Sequence, residues 1–506
     1  MRKYYLGIDG GTTGLRAGIY GSDGARIAFC STAYPTRHDK PGFAEQSPED
    51  WLTAMRKSIS GAMESAKVRA DEIIAMCTDT TSCSVLLCKR DGTPVRDCLI
   101  WMDVRAAKQS EYINRVTAEH LSPEWMPAKL MWLRDNEPQN YADAEIFCEY
   151  QDFLTYKLTG KWSININNAV NWGYNAELGG FSTSFYDKIN MSDAISKFPA
   201  DSVFAVGDAV GYVTEEAALS FGLDTGILVA SGGIDSSIGI LGMGICESGQ
   251  LALITGSSNL AMLLTKKPLF NKDGVNSGPH HLIHGFYTDY RGQSSSGSAI
   301  SWFKREFCRD LDSKTAYRTL DSEASGIPIG CEGLLVLDYF QGNRHPYLDG
   351  DVRAMIYGLS LSHTRSHVYR AFLEGVCFGT AHLLRQFADA GCPVSEITVA
   401  GGFANSRLLL SILADICAIP VKIPGDLEAP CLGSAIAAAV AAKTYKDLPK
   451  AVRAMTKPAF TVLPNSENHA KYELLFAQYL KTYPELRDYF GECKEVFDSI
   501  AGEVIG

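Results

Sequence analysis

The sequence lacks the features that mark membrane proteins, nucleic-acid-binding proteins and disulfide-stabilised secreted proteins. No apolar run approaches the roughly 20 residues that a helix needs to span a bilayer. No block of lysine and arginine occurs and the formal net charge is −11, which argues against nucleic acid and anionic membranes as main partners. The 14 cysteines form no CxxC pair and no signal peptide is recognisable, so we expect reduced thiols in a cytoplasmic protein.

Other absences limit the organisation and the chemistry of the chain. No GxxxxGK[ST] run occurs, which excludes a Walker-type nucleotide site. No Pro/Gly/Ser-rich linker or low-complexity stretch separates parts of the chain. The 506 residues, 46% of them hydrophobic and 21% charged, have the composition of a globular protein and suffice for two or more domains.

The most informative segment is the run of residues 6–20, an apolar strand, a tight polar turn and a second apolar strand. Glycines in such a turn, here including Gly11, let the backbone approach a ligand closely. Backbone N–H groups and the hydroxyls of Thr12 and Thr13 can hold a phosphate there. Asp9 would be repelled by a bare phosphate, which predicts a bridging Mg²⁺; an ordinary glycine-rich hairpin is the alternative.

A second hairpin repeats this pattern downstream. Residues 250–254 and 259–265 have the pattern of apolar strands, and Gly256 and Ser257 lie in the turn between them. We place a domain boundary just before this hairpin, near residue 247.

Two further predicted strands end in a Gly-Gly pair that precedes a helix. Asp235 follows the first pair, and the second pair is Gly401 and Gly402, with Asn405 after it. Side chains at such strand ends project into the crevice where open α/β sheets bind ligands. A helix N-cap is the alternative role for Asp235. The alternation of strands and helices predicts an α/β fold.

Together these motifs resemble the phosphate-1, phosphate-2 and adenosine motifs of the actin-like ATPase fold. Residues 129–136 (KLMWLRDN) and 354–374 are similar to the two signatures of the FGGY carbohydrate kinase family, with Met126 and Phe372 as departures. The resemblance runs from residue 4 to about residue 490.

This resemblance implies an α/β protein with two ribonuclease-H-like (actin-like ATPase) domains around a central cleft. Residues 1–247 would form the N-terminal domain, with the sugar site, the phosphate-1 hairpin and the catalytic base. Residues 248–506 would form the C-terminal domain, with the phosphate-2 hairpin, the adenosine motif and a C-terminal helix.

Within the family, two runs resemble the ribulokinase-like, or pentulose kinase, branch. They are residues 79–86 (DTTSCSVL) and 100–106 (IWMDVRA), the latter with Val104 in place of the usual His. The sugar contacts that they imply are Thr81, Ser82, Trp101 and Asp103. Asn171 stands where ribulokinases generally have a Lys and Tyr290 where they have a Glu, and both positions usually touch the sugar. We therefore expect Asn171 and Tyr290 to contact a sugar whose hydroxyl pattern or chain length differs.

The resemblance implies that the γ-phosphoryl group of ATP is transferred to a terminal hydroxyl of a small ketose, such as ribulose. Asp235 would be the catalytic base and would also contact the sugar, and Asp9 would hold Mg²⁺. The implied nucleotide ligands are Gly11, Thr12, Thr13, Gly256 and Ser257 for the phosphates and Gly401, Gly402 and Asn405 for adenosine.

Other interpretations stay open. The acceptor could be xylulose, erythrulose or a sugar alcohol. The chain could instead be a non-catalytic nucleotide and sugar sensor, or an actin- or chaperone-like ATPase with protein partners. Trp101 could lie in the core, and Arg105 could pair with Asp103. The three histidines in residues 280–284 lack a cysteine or carboxylate at ligand spacing, which predicts a loop. We expect a sugar and ATP as partners, with a homodimer as one option.

Overall fold

The computed structural model describes residues 3–117, 121–199, 202–269 and 281–504. Two compact units divide the chain, and each consists of three segments. Unit 1 comprises Met1–Cys246, Thr265–Asp289 and Glu428–Lys457, and unit 2 comprises Glu247–Leu264, Tyr290–Leu427 and Pro458–Gly506. Across the described ranges we find no helix with the length and apolar character to cross a membrane.

Strands and helices alternate along the described residues. The strands are β1 (Tyr4–Gly10), β2 (Gly14–Tyr20), β3 (Arg26–Ala33), β4 (Glu45–Gln46), β5 (Ile73–Thr80), β6 (Leu86–Cys88), β7 (Cys98–Leu99), β8 (Ile146–Cys148), β9 (Ile164–Asn165), β10 (Tyr174–Asn175), β11 (Gly180–Phe181), β12 (Val203–Phe204), β13 (Ala209–Tyr212), β14 (Leu228–Ile234), β15 (Gln250–Thr255), β16 (Asn259–Thr265), β17 (Tyr287–Gln293), β18 (Leu335–Leu337), β19 (Met355–Tyr357), β20 (Glu396–Gly401), β21 (Val421–Pro424) and β22 (Pro458–Val462). The helices are α1 (Pro48–Ala66), α2 (Ala107–Thr117), α3 (Met126–Asn136), α4 (Pro138–Asp143), α5 (Tyr150–Thr159), α6 (Ile166–Ala169), α7 (Thr183–Lys188), α8 (Glu215–Phe221), α9 (Asp235–Gly242), α10 (Gly297–Phe307), α11 (Ala316–Ser325), α12 (Arg365–Asp389), α13 (Arg407–Cys417), α14 (Ala429–Ala441), α15 (Leu448–Met455) and α16 (Ser466–Val504).

A six-stranded sheet with the order β13-β14-β5-β1-β2-β3 forms the centre of unit 1. Strands β1, β2 and β3 are an antiparallel meander, whereas β1, β5 and β14 run parallel to one another. In this register Asp9 lies opposite Asp79, and Asp79 lies opposite Gly233. The carboxyl ends of the three parallel strands therefore meet at one edge of the sheet, where ligands of α/β proteins bind.

Helix α1 packs on β2 and β3, while α9 and α14 pack together near β1. Glycine on β1 permits the close approach of α14, because a Cβ added at Gly7 would lie 1.9 Å from the Cys431 carbonyl oxygen. Gly242 and Gly433 are equally confined, each with a backbone carbonyl oxygen 2.0 Å from such a Cβ. Helix α14 is thus part of the core of unit 1, although it follows residue 247 by a long stretch of chain.

Unit 1 also holds a second apolar core beside its sheet. Large side chains of this core include Met126, Phe147, Trp172 and Tyr186, all at most 1% exposed. Segments that follow β5, β7 and β9 surround this core, and it encloses the first turn of α3.

The sheet that forms the centre of unit 2 has the order β17-β16-β15-β20-β21-β22. Strands β15 and β16 form an antiparallel hairpin, and β15, β20 and β21 run parallel. Thr255 pairs with Gly401 in this register, which brings the end of β15 beside the end of β20. Helix α16 packs on α13 and buries Tyr472 and Tyr479.

Candidate active site

Three aspartates lie at the carboxyl edge of the unit 1 sheet. Asp9 is near the end of β1, Asp79 is its partner on β5, and Asp235 begins α9 directly after β14. Asp9 is 1% exposed and Asp79 is fully buried, whereas Asp235 is partly exposed. The sequence pattern predicted that Asp9 and Asp235 lie at strand ends. The sheet register shows that Asp79 lies at the same edge of the sheet.

Asp9 and Asp79 each keep one carboxylate oxygen without a donor among the described residues. Arg16 Nη1 donates to Asp9 Oδ2 at 2.5 Å, and Ser434 Oγ donates to Asp79 Oδ2 at 2.6 Å. Oδ1 of both aspartates is buried and has no partner in the described part of the chain other than the carboxyl of the neighbouring aspartate. Burial raises the pKa of Asp9, and it raises that of Asp79 strongly, with the charge of Asp9 adding to the effect. The pair is a desolvated acidic site that a cation would stabilise.

Asp235 has the pKa of a group that changes protonation near neutral pH. Burial raises the pKa of its carboxyl to about 7, and the charge of Asp9 contributes further. Its Oδ1 accepts a hydrogen bond from the Ser236 backbone N–H at 2.6 Å. Ile234 is the N-cap of α9, so Asp235 is the first helical residue rather than the cap itself.

The hairpin between β1 and β2, for which the sequence predicts phosphate binding, is held by hydrogen bonds from neighbouring segments. The Gly11 N–H donates to the Gly14 carbonyl at 3.1 Å, and Gln46 Nε2 donates to the Thr12 carbonyl at 2.7 Å. Trp101 Nε1 donates to Thr12 Oγ1 at 3.0 Å, which leaves the hydroxyl proton of Thr12 for another acceptor. The Thr13 side chain is exposed.

The predicted sugar residues of unit 1 lie near this hairpin, and Asp103 differs from the others in its partners. Trp101 is 40% exposed rather than part of the core, and Asn171 Nδ2 lies 3.4 Å from Ser82 Oγ. Thr81 is nearly buried, and its N–H donates to the Gly10 carbonyl at 3.0 Å.

Asp103 has a different environment from the other predicted sugar residues. It is fully buried, its Oδ1 accepts from Arg105 Nε at 2.9 Å, and its Oδ2 accepts from the Ala44 N–H at 2.7 Å. Arg105 Nη2 also donates to Oδ2 at 2.7 Å. The ion pair with Arg105 that the sequence left as an alternative is present. Tyr290, the remaining predicted sugar residue, lies on β17 in unit 2.

Sequence reasoning missed two residues that hold the segment before Asp235. Asn167 Oδ1 accepts from the Ile234 N–H at 2.7 Å, and Asn167 Nδ2 lies 2.8 Å from His281 Nδ1. Burial lowers the pKa of His281 to about 4, so a neutral ring nitrogen can accept from the Asn167 amide. No local pattern marks Asn167, because its partners are distant in sequence. His280, of the same histidine run, lies outside the described residues.

Unit 2 contains a cavity of about 900 Å³ that brings its predicted nucleotide residues together. The cavity is lined by Gly256 and Ser257 of the second hairpin and by Gly402 and Asn405 after β20. Cationic side chains at its wall are those of Arg305, Lys314, Arg318 and Arg407. A large anionic ligand would suit this cavity, because Gly256 and the Ser257 hydroxyl lie at one side and cationic side chains line the wall.

Close backbone contacts explain the glycines around this cavity. Gly401 has φ +91°, and an added Cβ would lie 1.9 Å from the Thr255 carbonyl oxygen. Thr255 Oγ1 donates to the Ala400 carbonyl at 2.7 Å and accepts from the Phe403 N–H at 3.0 Å. Gly401 therefore shapes the turn without lining the cavity, which Gly402 lines directly.

Comparison with known proteins gives matches that span the chain. The model of the FGGY family of carbohydrate kinases, N-terminal domain, matches residues 4–242, and that of the C-terminal domain matches residues 251–442. A ribulokinase of Mycolicibacterium smegmatis is 30% identical, over 97% of this chain and 94% of that protein. A xylulose kinase of Bacillus subtilis (strain 168) is 26% identical, over 96% of this chain and 98% of that protein.

A solved structure has the same architecture. The crystal structure of xylulose kinase from Rhodospirillum rubrum superposes with a TM-score of 0.84 at 25% identity, covering 97% of this chain and 100% of that one. With both family domains matched in order and a relative of 30% identity aligned over nearly its whole length, this chain belongs to the FGGY family of carbohydrate kinases and is a sugar kinase that uses ATP.

Proposed function

We propose that this sugar kinase transfers the γ-phosphoryl group of ATP to a terminal hydroxyl of a small ketose, a pentulose such as ribulose. The observation that carries this proposal is Asp235, a carboxylate at a strand end whose pKa is raised to about 7. A sugar hydroxyl is a poor nucleophile that loses its proton during transfer. A carboxylate about 2.6–3.2 Å away can accept that proton, and it does so best when its pKa lies near the working pH.

Two phosphate-binding hairpins support the proposed handling of ATP. Gly11, Thr12 and Thr13 in unit 1 would contact phosphate oxygens, as would Gly256 and Ser257 in unit 2. Adenosine would occupy the 900 Å³ cavity beside Gly402 and Asn405, with Gly401 shaping the turn. We propose residues 1–247 as the sugar-binding half of the chain and residues 248–506 as its nucleotide-binding half.

The acidic site of unit 1 fits Mg²⁺. The buried Oδ1 atoms of Asp9 and Asp79 have no donor in the described part of the chain other than each other's carboxyl, and carboxylate oxygen is a ligand that suits Mg²⁺. Asp9 would hold the ion, directly or through water, since Mg²⁺ keeps several waters and takes few protein ligands. When bound, the ion neutralises charge on the β- and γ-phosphates. Arg16, on the other oxygen of Asp9, keeps that carboxylate oriented.

Sugar choice is proposed to depend on the positions that depart from ribulokinases. Asn171 lies beside Ser82 in unit 1, and its neutral amide can donate to or accept from a sugar hydroxyl where a lysine could only donate. Tyr290 would likewise replace a carboxylate by a phenol. The similarity to a protein named xylulose kinase keeps xylulose as the second candidate acceptor.

A coupled ADP-release assay with Mg·ATP tests the proposal directly. Ribuloses, xyluloses, tetruloses, hexuloses and pentitols would be compared by kcat/KM. We expect the highest kcat/KM with a ribulose. The same assay with the Asp235→Asn variant serves as the chemical control. Preferred turnover of a xylulose would establish the second candidate, and turnover of a non-ketose alone would contradict the ketose assignment.

A further inference from the structure

We infer that Lys129 and Glu149 are positioning residues for the acceptor sugar. Both are fully buried in unit 1, and together they connect three segments that carry proposed sugar contacts. These segments, here called the sugar segments, are residues 81–84, 100–103 and 171–172. The inference rests on the proposed role of these segments, but neither Lys129 nor Glu149 is itself proposed to touch the sugar.

Lys129 joins the first two sugar segments with a single ammonium group. Its Nζ donates to the Cys83 carbonyl at 2.7 Å and to the Ile100 carbonyl at 2.7 Å. Cys83 has φ +57°, a left-handed conformation that needs support in a residue with a side chain. The Ile100 carbonyl also accepts the Asp103 N–H at 2.9 Å, which closes the turn that presents Trp101. Lys129 thus fixes the distance between this turn and the 81–84 loop.

Glu149 joins the first sugar segment to the third. Its Oε2 accepts from the Ser84 N–H and from Ser84 Oγ, each at 3.1 Å. Its Oε1 accepts from Trp172 Nε1 at 2.9 Å, and Trp172 directly follows Asn171. Ser84 and Trp172 are both buried. The Glu149 carboxylate is therefore the hydrogen-bond acceptor that water cannot provide for these two segments.

The chemistry of these two side chains is unusual for a structural core. Fully buried lysine and glutamate are rare because the charge must be removed from water. Well-packed apolar residues in such positions are often neutral or stabilising for the fold. Burial lowers the pKa of Lys129 and raises that of Glu149 to about 7, because desolvation disfavours the charged form of both side chains. Their contacts go to the backbone, the Ser84 hydroxyl and the Trp172 indole of the sugar segments, so the unfavourable burial serves to hold these segments.

The experiment compares Lys129→Met and Glu149→Gln with the matched control Lys197→Met. Lys197 is partly exposed at the edge of the same apolar core, over the rings of Tyr141 and Phe147, and its Nζ donates to a backbone carbonyl, that of Tyr141, at 2.7 Å. Kinetics would use whichever acceptor the wild-type enzyme phosphorylates best. We expect KM for the sugar to rise about 10-fold or more in Lys129→Met and Glu149→Gln, with KM for ATP unchanged. Lys197→Met should leave both KM values at the wild-type level.

A second measurement does not depend on any substrate. Amide hydrogen exchange without ligand should be faster at Asp103 and Ser84 in Lys129→Met than in Lys197→Met, because the turn and the loop lose their common donor. If Lys129→Met does not fold, Glu149→Gln decides, with faster exchange expected at Ser84 or at the Trp172 indole, because the glutamine amide keeps only one acceptor oxygen for the two segments.

The outcomes separate the inference from the proposed function. A sugar KM that stays at the wild-type level in both test variants, with only a lower melting temperature, would assign these residues to stability alone and overturn the inference. Failure of the wild type to phosphorylate any sugar would contradict the proposed function, and the exchange experiment would then decide the inference. Equal exchange in Lys129→Met and Lys197→Met would overturn it.

Discussion

Asp235 occupies the junction between β14 and α9, where burial and the charge of Asp9 control when its carboxyl can accept a proton. The same desolvation acts on Asp9 and Asp79, so three carboxyls share one poorly solvated edge of the sheet. Arg16 and Ser434 donate to two of them, and Ser236 donates to the third through its backbone. This environment favours a base that is active near neutral pH.

Replacing Asp235 by Asn should remove the proposed base while the fold is retained. We expect kcat to fall about 10²- to 10⁴-fold, the usual contribution of a general base. Ser236→Ala is the matched control, because the hydrogen bond from residue 236 to Asp235 comes from its backbone N–H. Steady-state kinetics at saturating sugar and ATP measure the effect. Turnover near the wild-type value in Asp235→Asn would contradict the assignment.

The raised pKa of Asp235 predicts opposite effects of pH on activity and on stability. Activity needs the ionised base, so kcat/KM for the sugar should rise with pH through about 7. Because the folded pKa exceeds the unfolded value of about 3.9, the folded state binds the extra proton, and the free energy of unfolding should fall as pH rises between these values. Denaturant titrations across this range should show a flatter dependence for Asp235→Asn. An equal slope in both proteins would contradict the raised pKa.

Asn171→Lys tests whether this position selects the sugar. A lysine there restores the residue type that ribulokinases generally carry, and it adds a charged donor beside Ser82. We expect the ratio of kcat/KM for ribulose to that for xylulose to rise about 10-fold or more. Asn171→Gln is the control for side-chain size without charge. An unchanged ratio in Asn171→Lys would remove this position from the specificity proposal.

Contiguous motifs explain which positions of candidate site residues could be predicted from the sequence. Asp9, Thr12 and Asp235 lie in short runs whose glycines and hydroxyls indicate their surroundings. Asn167 and His281 form a contact across more than a hundred positions, and no spacing rule anticipates it. The burial of Asp103 against Arg105 likewise depends on the Ala44 backbone, which the local sequence does not indicate.

At the scale of elements, each unit has a hairpin beside parallel strands, and these strands carry the candidate ligand residues of that unit. The turn patterns predicted strands at residues 250–254 and 259–265, and the structure has β15 and β16 at Gln250–Thr255 and Asn259–Thr265. The prediction succeeded because glycine and hydroxyl residues interrupt otherwise apolar runs. Sequence patterns could not predict that α14 packs on β1, since this contact joins opposite parts of the chain.

Gly401→Ala and Gly402→Ala should have different effects, because Gly401 determines the conformation of the turn after β20 whereas Gly402 lines the cavity. A methyl at Gly401 would meet the Thr255 carbonyl at 1.9 Å on a backbone with φ +91°, so we expect a loss of at least about 1–3 kcal/mol in stability. No heavy atom lies within 4 Å of a Cβ added at Gly402, so stability should change by less than about 0.5 kcal/mol.

Nucleotide binding provides the second readout for this pair of variants. The Gly402 methyl would stand in the wall of the cavity, so we expect weaker binding of a non-hydrolysable ATP analogue without loss of stability. Chemical denaturation and a binding titration measure the two effects. Equal stability of the two variants would contradict the close contact between β20 and Thr255.

For the whole molecule, the absence of cross-links predicts that stability is insensitive to reductant. All 14 cysteines are free thiols, and most are buried in one of the two units. A native disulfide typically contributes about 2–5 kcal/mol, so its reduction would be readily detected. We expect the same melting temperature with and without dithiothreitol. A lower melting temperature in reductant would reveal a disulfide that this fold does not contain.

The three-segment composition of unit 1 affects the order in which the protein folds during synthesis. The central sheet strands up to β14 leave the ribosome long before α14, the helix that packs on β1 and supplies Ser434 to Asp79. Until residues 429–441 emerge, the apolar surface around Gly7 and the buried side of Asp79 have no cover from this helix. The sheet of unit 1 therefore stays without this helix while the whole of residues 290–427 is being translated, and transiently exposed apolar surface of this kind is prone to aggregation.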